Sequence, residues 1–142
     1  MNTNVNGNIV ENCKYAGLYL KENYILNVNK NSFNNLGENG VFDEGSGENI
    51  IIDDNKFLNV GIAGNDKNGK SSGIFMENGT KRTLKKNSIV GSKNMQHAIY
   101  IADGKYETMS IVDNIFSKVK EEPIRLRNNK SRIMKNYNNR NY

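Results

Sequence analysis

Residues 51–57 read IIDDNKF: an aliphatic pair, two acids, an asparagine, a lysine and an aromatic ring. No single amphipathic strand or helix asks for that order, because the apolar run stops on charge and then resumes. The same frame is found elsewhere in the chain. Aligned on Asn55, with Ile52 three residues before it and Phe57 two after, it recurs as Val5/Asn8/Val10, Val28/Asn31/Phe33, Leu84/Asn87/Ile89 and Ile111/Asn114/Phe116. A sixth copy, Ile133/Asn136/Asn138, keeps the first two members and loses the third. Successive asparagines lie 23, 24, 32, 27 and 22 residues apart.

A second short run follows each asparagine: GLYL from Gly17, GVFD from Gly40, GIFM from Gly73, AIYI from Ala98 and PIRL from Pro123. The third of these starts late, after GIAGNDKNGKSS at 61–72, whose Gly, Asn, Lys and Ser content predicts a loop insertion. Paired β-branched and aromatic runs at this period, divided by Asn/Gly turns, are the signature of a solenoid of short strands. No stretch carries sustained helical periodicity. Stacked coils would place equivalent asparagines above one another, where their amides can bond along the stack as a ladder. The column just before the asparagine is read as Gly7, Lys30, Asp54, Lys86, Asp113 and Lys135, alternating in charge from the second coil.

VNKNSF, IDDNKF, LKKNSI and IVDNIF, with their GIFM and AIYI partners, resemble right-handed parallel β-helix proteins of the pectate-lyase-like superfamily. The expected fold is therefore all-β, a right-handed parallel β-helix of five to six coils over about residues 4–137, in a single domain. The resemblance carries no recognisable catalytic motif.

The 142 residues suffice for one domain, although only 36% are hydrophobic and asparagine is the commonest residue. The single cysteine, Cys13, excludes an intrachain disulfide and a zinc motif of paired cysteines, and is expected in the core. The N-terminus lacks the basic and apolar regions of a signal peptide, and no apolar run is long enough to span a membrane. An extracellular or virion-associated setting is expected only if the chain is part of a longer protein. Residues 1–66 hold four lysines against nine acids, net −5; the rest holds sixteen Lys/Arg against six acids, net +10. An anionic ligand is expected on the C-terminal half. Nucleic acid is disfavoured, because aromatic residues interleave poorly with the basic ones.

In the second run, Leu18, Val41, Ile74, Ile99 and Ile124 are expected to point inward and Tyr19, Phe42, Phe75, Tyr100 and Arg125 outward. The small residues before them, Gly17, Gly40, Gly73, Ala98 and Pro123, are read as outward too, leaving the rings uncovered. Such a stripe suits the apolar faces of sugars; the alternative is ring stacking beneath a loop such as 61–72. Two positions on, Glu44 and Glu77 fall on adjacent rungs, where they could bind Ca²⁺ or raise one another's carboxyl pKa. The resemblance implies that acidic Ca²⁺ ligands can combine with a basic residue that removes a proton, a chemistry that Arg125 and Arg127 match in type. His97 is the only histidine, a corner-packing residue or an acid–base group.

Two functions follow as expectations. One is a module that binds an acidic polysaccharide through Tyr19, Phe42, Phe75, Tyr100 and Arg125. The other is a polysaccharide lyase or glycoside hydrolase using Glu77, His97, Arg125 and Arg127. The first coil starts within four residues of Met1, leaving no room for a cap. Self-association through Val5, Ile9 and Val10, or covalent continuation into a longer protein, is therefore expected.

Overall fold

Alternation of apolar and polar residues at period two is what a strand with one buried face requires, and each repeat carries it twice before its turns. The computed structural model describes residues 2–21, 25–45, 47–64, 69, 71–102, 106–127 and 133–142. Every described element is a strand, and all strand pairs are parallel, as expected when each coil lies on the one before it.

Three sheets result. The first is built from Asn2–Asn6, Ile25–Asn29, Asn49–Asp53, Lys81–Lys85, Thr108–Val112 and Ile133–Tyr137. The second stacks Ile9–Cys13, Ser32–Leu36, Lys56–Val60, Ser88–Gly91, Ile115–Ser117 and Arg140–Asn141. The third holds Leu18–Leu20, Val41–Asp43, Ser72–Met76, His97–Ile101 and Ile124–Leu126. Each of the first five coils contributes one strand to every sheet; a sixth contributes to two. Ser72 is already strand, so the insertion is shorter than 61–72, and its residues 65–68 and 70 lie outside the described residues.

The core runs along the axis between the sheets. Leu26, Val28, Ile50, Ile52, Leu84 and Ile111 fill it from the first sheet, Phe33, Phe57, Ile89 and Phe116 from the second, and Val41, Ile74 and Ile99 from the third. Phe33 and Phe57 stack at 4.9 Å between ring centroids. Cys13 is half-buried and packs against this core.

The asparagine ladder stands at the corner between the first and second sheets. Asn31 Oδ1 accepts the main-chain N–H and the side-chain amide of Asn8, at 2.9 and 3.1 Å. Asn31 in turn donates both groups to Asn55 Oδ1, and its Nδ2 also reaches the carbonyl of Val5 at 2.8 Å. The pattern repeats through Asn55, Asn87 and Asn114, whose amides reach the carbonyls of Val28, Ile52 and Leu84. The first member of the frame, three residues before the asparagine, thus supplies a carbonyl as well as a core side chain.

The last coil corrects the expected register. Asn136 pairs with Ile111, the residue three before the ladder, and the sixth ladder position is Asn139, 25 residues after Asn114. It accepts from Asn114 at 3.0 and 2.9 Å and donates to the carbonyl of Ile111. The column before the ladder accordingly ends on Asn138, not Lys135. Gly7, Lys30, Asp54, Lys86, Asp113 and Asn138 all have φ between 55° and 69°. What unites this column is the left-handed backbone of a tight corner, where Gly is at ease, Asn and Asp are tolerated and Lys is accommodated at a cost.

Candidate functional site

The rings of the third sheet form one column. Tyr19 and Phe42 stack face to face at 5.0 Å and 5°. Phe75 continues at 5.0 Å with a 39° tilt, Tyr100 turns edge-on to Phe75, and the Arg125 guanidinium lies 5.8 Å from the Tyr100 centroid. Strand register puts these five residues directly opposite one another, rung by rung.

The column is open at one end only. Tyr19 is 54% exposed and Phe42 half-buried, whereas Phe75 and Tyr100 retain 3% and 5% of their surface. Gly69 of the insertion lies against Phe75: a Cβ there would come within 2.2 Å of the ring, and its φ of 71° suits glycine. The insertion is held in place by Asn39, which donates to the carbonyls of Gly69 and Ser72 at 2.9 and 2.6 Å. Phe75 therefore sits beneath this loop, and the uncovered ledge is Tyr19 with Phe42.

The small residues preceding the rings face the opposite way from that expected. A Cβ on Gly40 would lie 2.2 Å from the Phe57 ring, and one on Gly17 would meet Leu36 and Phe33 within 3 Å. The chain bends into the third sheet at this corner, so the position is directed at the core and the constraint on it is steric.

Carboxylates flank the ledge. Glu44 follows Val41–Asp43 and Glu77 follows Ser72–Met76, and main-chain bonds to Leu20 and Asp43 hold them on consecutive rungs. The Tyr19 hydroxyl bonds to Glu44, which raises the phenol pKa, as do slight burial and the charges of Glu44 and Glu77. Burial raises the Glu77 carboxyl, aided by the charges of Glu44 and Asp43. Lys21 Nζ stands 3.6 Å from Glu44.

Beneath them lies an ion pair absent from the sequence reading. Asp43 and Arg82 are both fully buried, and Arg82 Nε donates to Asp43 Oδ2 at 2.6 Å. Arg82 also donates to the carbonyls of Gly47, Lys81 and Asn78, while Asp43 accepts from Gly45 N–H. Burial pushes the Asp43 carboxyl up, against the pull of Arg82. With Asp43 so engaged, Glu44 and Glu77 are a pair of carboxylates rather than the six to eight oxygens of a Ca²⁺ cage.

The remaining candidates are spread along the sheet. His97 opens its strand and Glu77 follows the end of the neighbouring one, so about five residues of extended chain, roughly 16 Å, separate them. Arg125 is bound to Glu122 at 2.9 Å, and exposed Arg127 lies two rungs from Glu77. His97 is buried at the corner, with Nδ1 2.7 Å from the Glu122 carbonyl and its ring edge-on to Tyr100.

A groove of about 500 Å³ runs along the corner between the second and third sheets in coils three to five. Leu58, Val90 and Val119 supply apolar surface and Lys93, Lys118 and Lys120 the charge. Apart from Leu58 and Asn59, its lining comes from the basic part of the chain, and it contains no aromatic ring. No helix of the described residues is long and apolar enough to cross a membrane. No protein-family model, curated protein or solved structure matches the chain.

Proposed function

We propose that this solenoid is a carbohydrate-contacting module for an acidic polysaccharide, with the Tyr19–Phe42 ledge as its sugar platform. The observation that carries the reading is the parallel, solvent-open stack of these two rings beside hydrogen-bonding carboxylates. A pyranose presents C–H groups on one face and hydroxyls around its rim. The rings suit the face and Glu44, Glu77 and Tyr19 suit the rim. Acid groups on the glycan would be repelled by Glu44 and Glu77, so the Lys93, Lys118 and Lys120 groove is the better counterpart for them. Arg125, already paired with Glu122, contributes less to that attraction than its charge suggests.

The test is affinity electrophoresis and calorimetry against a panel of acidic and neutral polysaccharides. Phe42→Ala is expected to weaken binding at least tenfold with folding unchanged, while Phe75→Ala, already under the loop, destabilises instead. Joint replacement of the three groove lysines by alanine should flatten the salt dependence for acidic glycans. Unchanged affinity in Phe42→Ala would overturn the ledge as the binding surface.

A second reading, glycoside hydrolysis, is favoured by one observation: two carboxylates on neighbouring rungs, one with a raised pKa, match an acid and its partner. Release of reducing ends from a bound glycan, lost in both Glu44→Gln and Glu77→Gln, would distinguish it from binding alone.

A further inference from the structure

Away from the ledge, three metal-ligating side chains converge on one corner of coils four and five. His97, Glu121 and Glu122 each offer a ligand atom, all within 4.8 Å of one another. The corner is built from main-chain bonds rather than from the side chains themselves. Lys120 N–H donates to the Met95 carbonyl, Glu121 N–H to Gln96, and Ala98 N–H to Pro123, so the turn carrying the glutamates is tied rung to rung to the strand carrying the histidine.

The imidazole is oriented before any ion arrives. Its Nδ1 lies 2.7 Å from the Glu122 carbonyl, which can only accept, so Nδ1 carries the proton. In the neutral form, the one that ligates metals, this leaves the lone pair on Nε2, and Nε2 stands 3.6 Å from Glu121 Oε2. A carbonyl on one ring nitrogen that fixes the tautomer and aims the other at a ligand is the outer-shell arrangement of metal-binding histidines. The ring is 1% exposed and held edge-on to Tyr100, so its position is set by packing. The two glutamate side chains are about half exposed and can swing. Arg125 binds Glu122 Oε1, which keeps that carboxyl below its ordinary pKa, and the carboxylate has a second oxygen to offer.

We propose that His97, Glu121 and Glu122 form a divalent transition-metal site that takes Zn²⁺, independent of the carbohydrate ledge. One imidazole and two carboxylates suit zinc, whose ligand distances of about 2.0–2.2 Å require the exposed glutamates to close by roughly an ångström. Three protein ligands leave a fourth position for water. Ca²⁺ and Mg²⁺, which take oxygen donors, have little use for the nitrogen. The ion clasps coil five to coil four at the entrance to the third sheet, and its effect is structural.

The experiment is calorimetric titration of the chelator-treated protein with zinc chloride, beside thermal unfolding with and without the ion. One saturable equivalent and a higher melting temperature are expected. Glu121→Gln, an exposed change that preserves the fold, should weaken binding at least tenfold, His97→Asn should abolish it, and Glu48→Gln, elsewhere on the surface, should leave it intact. Cys13→Ser should bind as the parent does, which separates the site from adventitious thiol binding. Absence of saturable heat, or equal affinity in Glu121→Gln, overturns the proposal.

Discussion

Asn55 makes more contacts of one kind than any apolar residue near it. Its Oδ1 accepts two donors from Asn31, and its amide serves Asn87 Oδ1 and the Val28 carbonyl, all within the core. Leucine has nearly the same size and none of these capacities. Asn55→Leu is expected to destabilise by about 3–5 kcal/mol in chemical denaturation, since several buried groups lose partners at once. Asn139→Leu, at the part-buried last rung, should cost about 1–2 kcal/mol. Equal losses at the two positions would show that the amides do not act as a buried ladder. The ladder was legible because one polar residue recurs in an apolar frame. The buried Asp43–Arg82 pair left a fainter trace: Asp43 occupies a column of Leu20 and Met76, and Arg82 a column of Ile50 and Met109. A charge in each of two apolar columns invites a partner, but the sequence does not reveal which two columns meet inside.

Strands and corners obey different rules, and this divides what could be read from what could not. The strands announce themselves by alternation, so their order and pairing followed from spacing alone. The corners depend on which way a bend turns the chain. Gly40 was expected to face outward with Phe42, two residues on, as it would within one continuous strand, yet it precedes the strand and points at Phe57. Gly40→Ala should therefore cost about 1–3 kcal/mol through overpacking, with sugar binding at Phe42 altered only as far as the fold is. A stable Gly40→Ala protein by thermal melt would contradict this placement. The last coil was misaligned for a related reason. Its two apolar anchors are replaced by Asn136 and Asn141, and Ile133 upstream of Asn136 imitates the frame three residues too early. The stripe itself was legible, but its cover was not, because the fit of Gly69 over Phe75 depends on the path of the insertion rather than on its composition.

At the scale of the molecule, each coil touches chiefly the coils before and after it, so stability is close to a sum over neighbours. Excision can therefore succeed where point substitution fails. Removing residues 88–114, the 27 that separate consecutive ladder positions, joins Asn87 to Ile115 and lets Asn87 occupy the place of Asn114. The shortened chain is expected to fold with the same circular-dichroism signature and a lower melting temperature, whereas removing three residues from the same segment should abolish folding. The amides add a direction to this modularity. At every rung the donors belong to the earlier coil and the acceptor Oδ1 to the later one, from Asn8 to Asn139. Their dipoles point one way and polarise one another, like links in a one-way wire. A coil grafted in from another register-matched solenoid must match this polarity as well as the spacing, so a reversed segment would meet donor against donor at its junction.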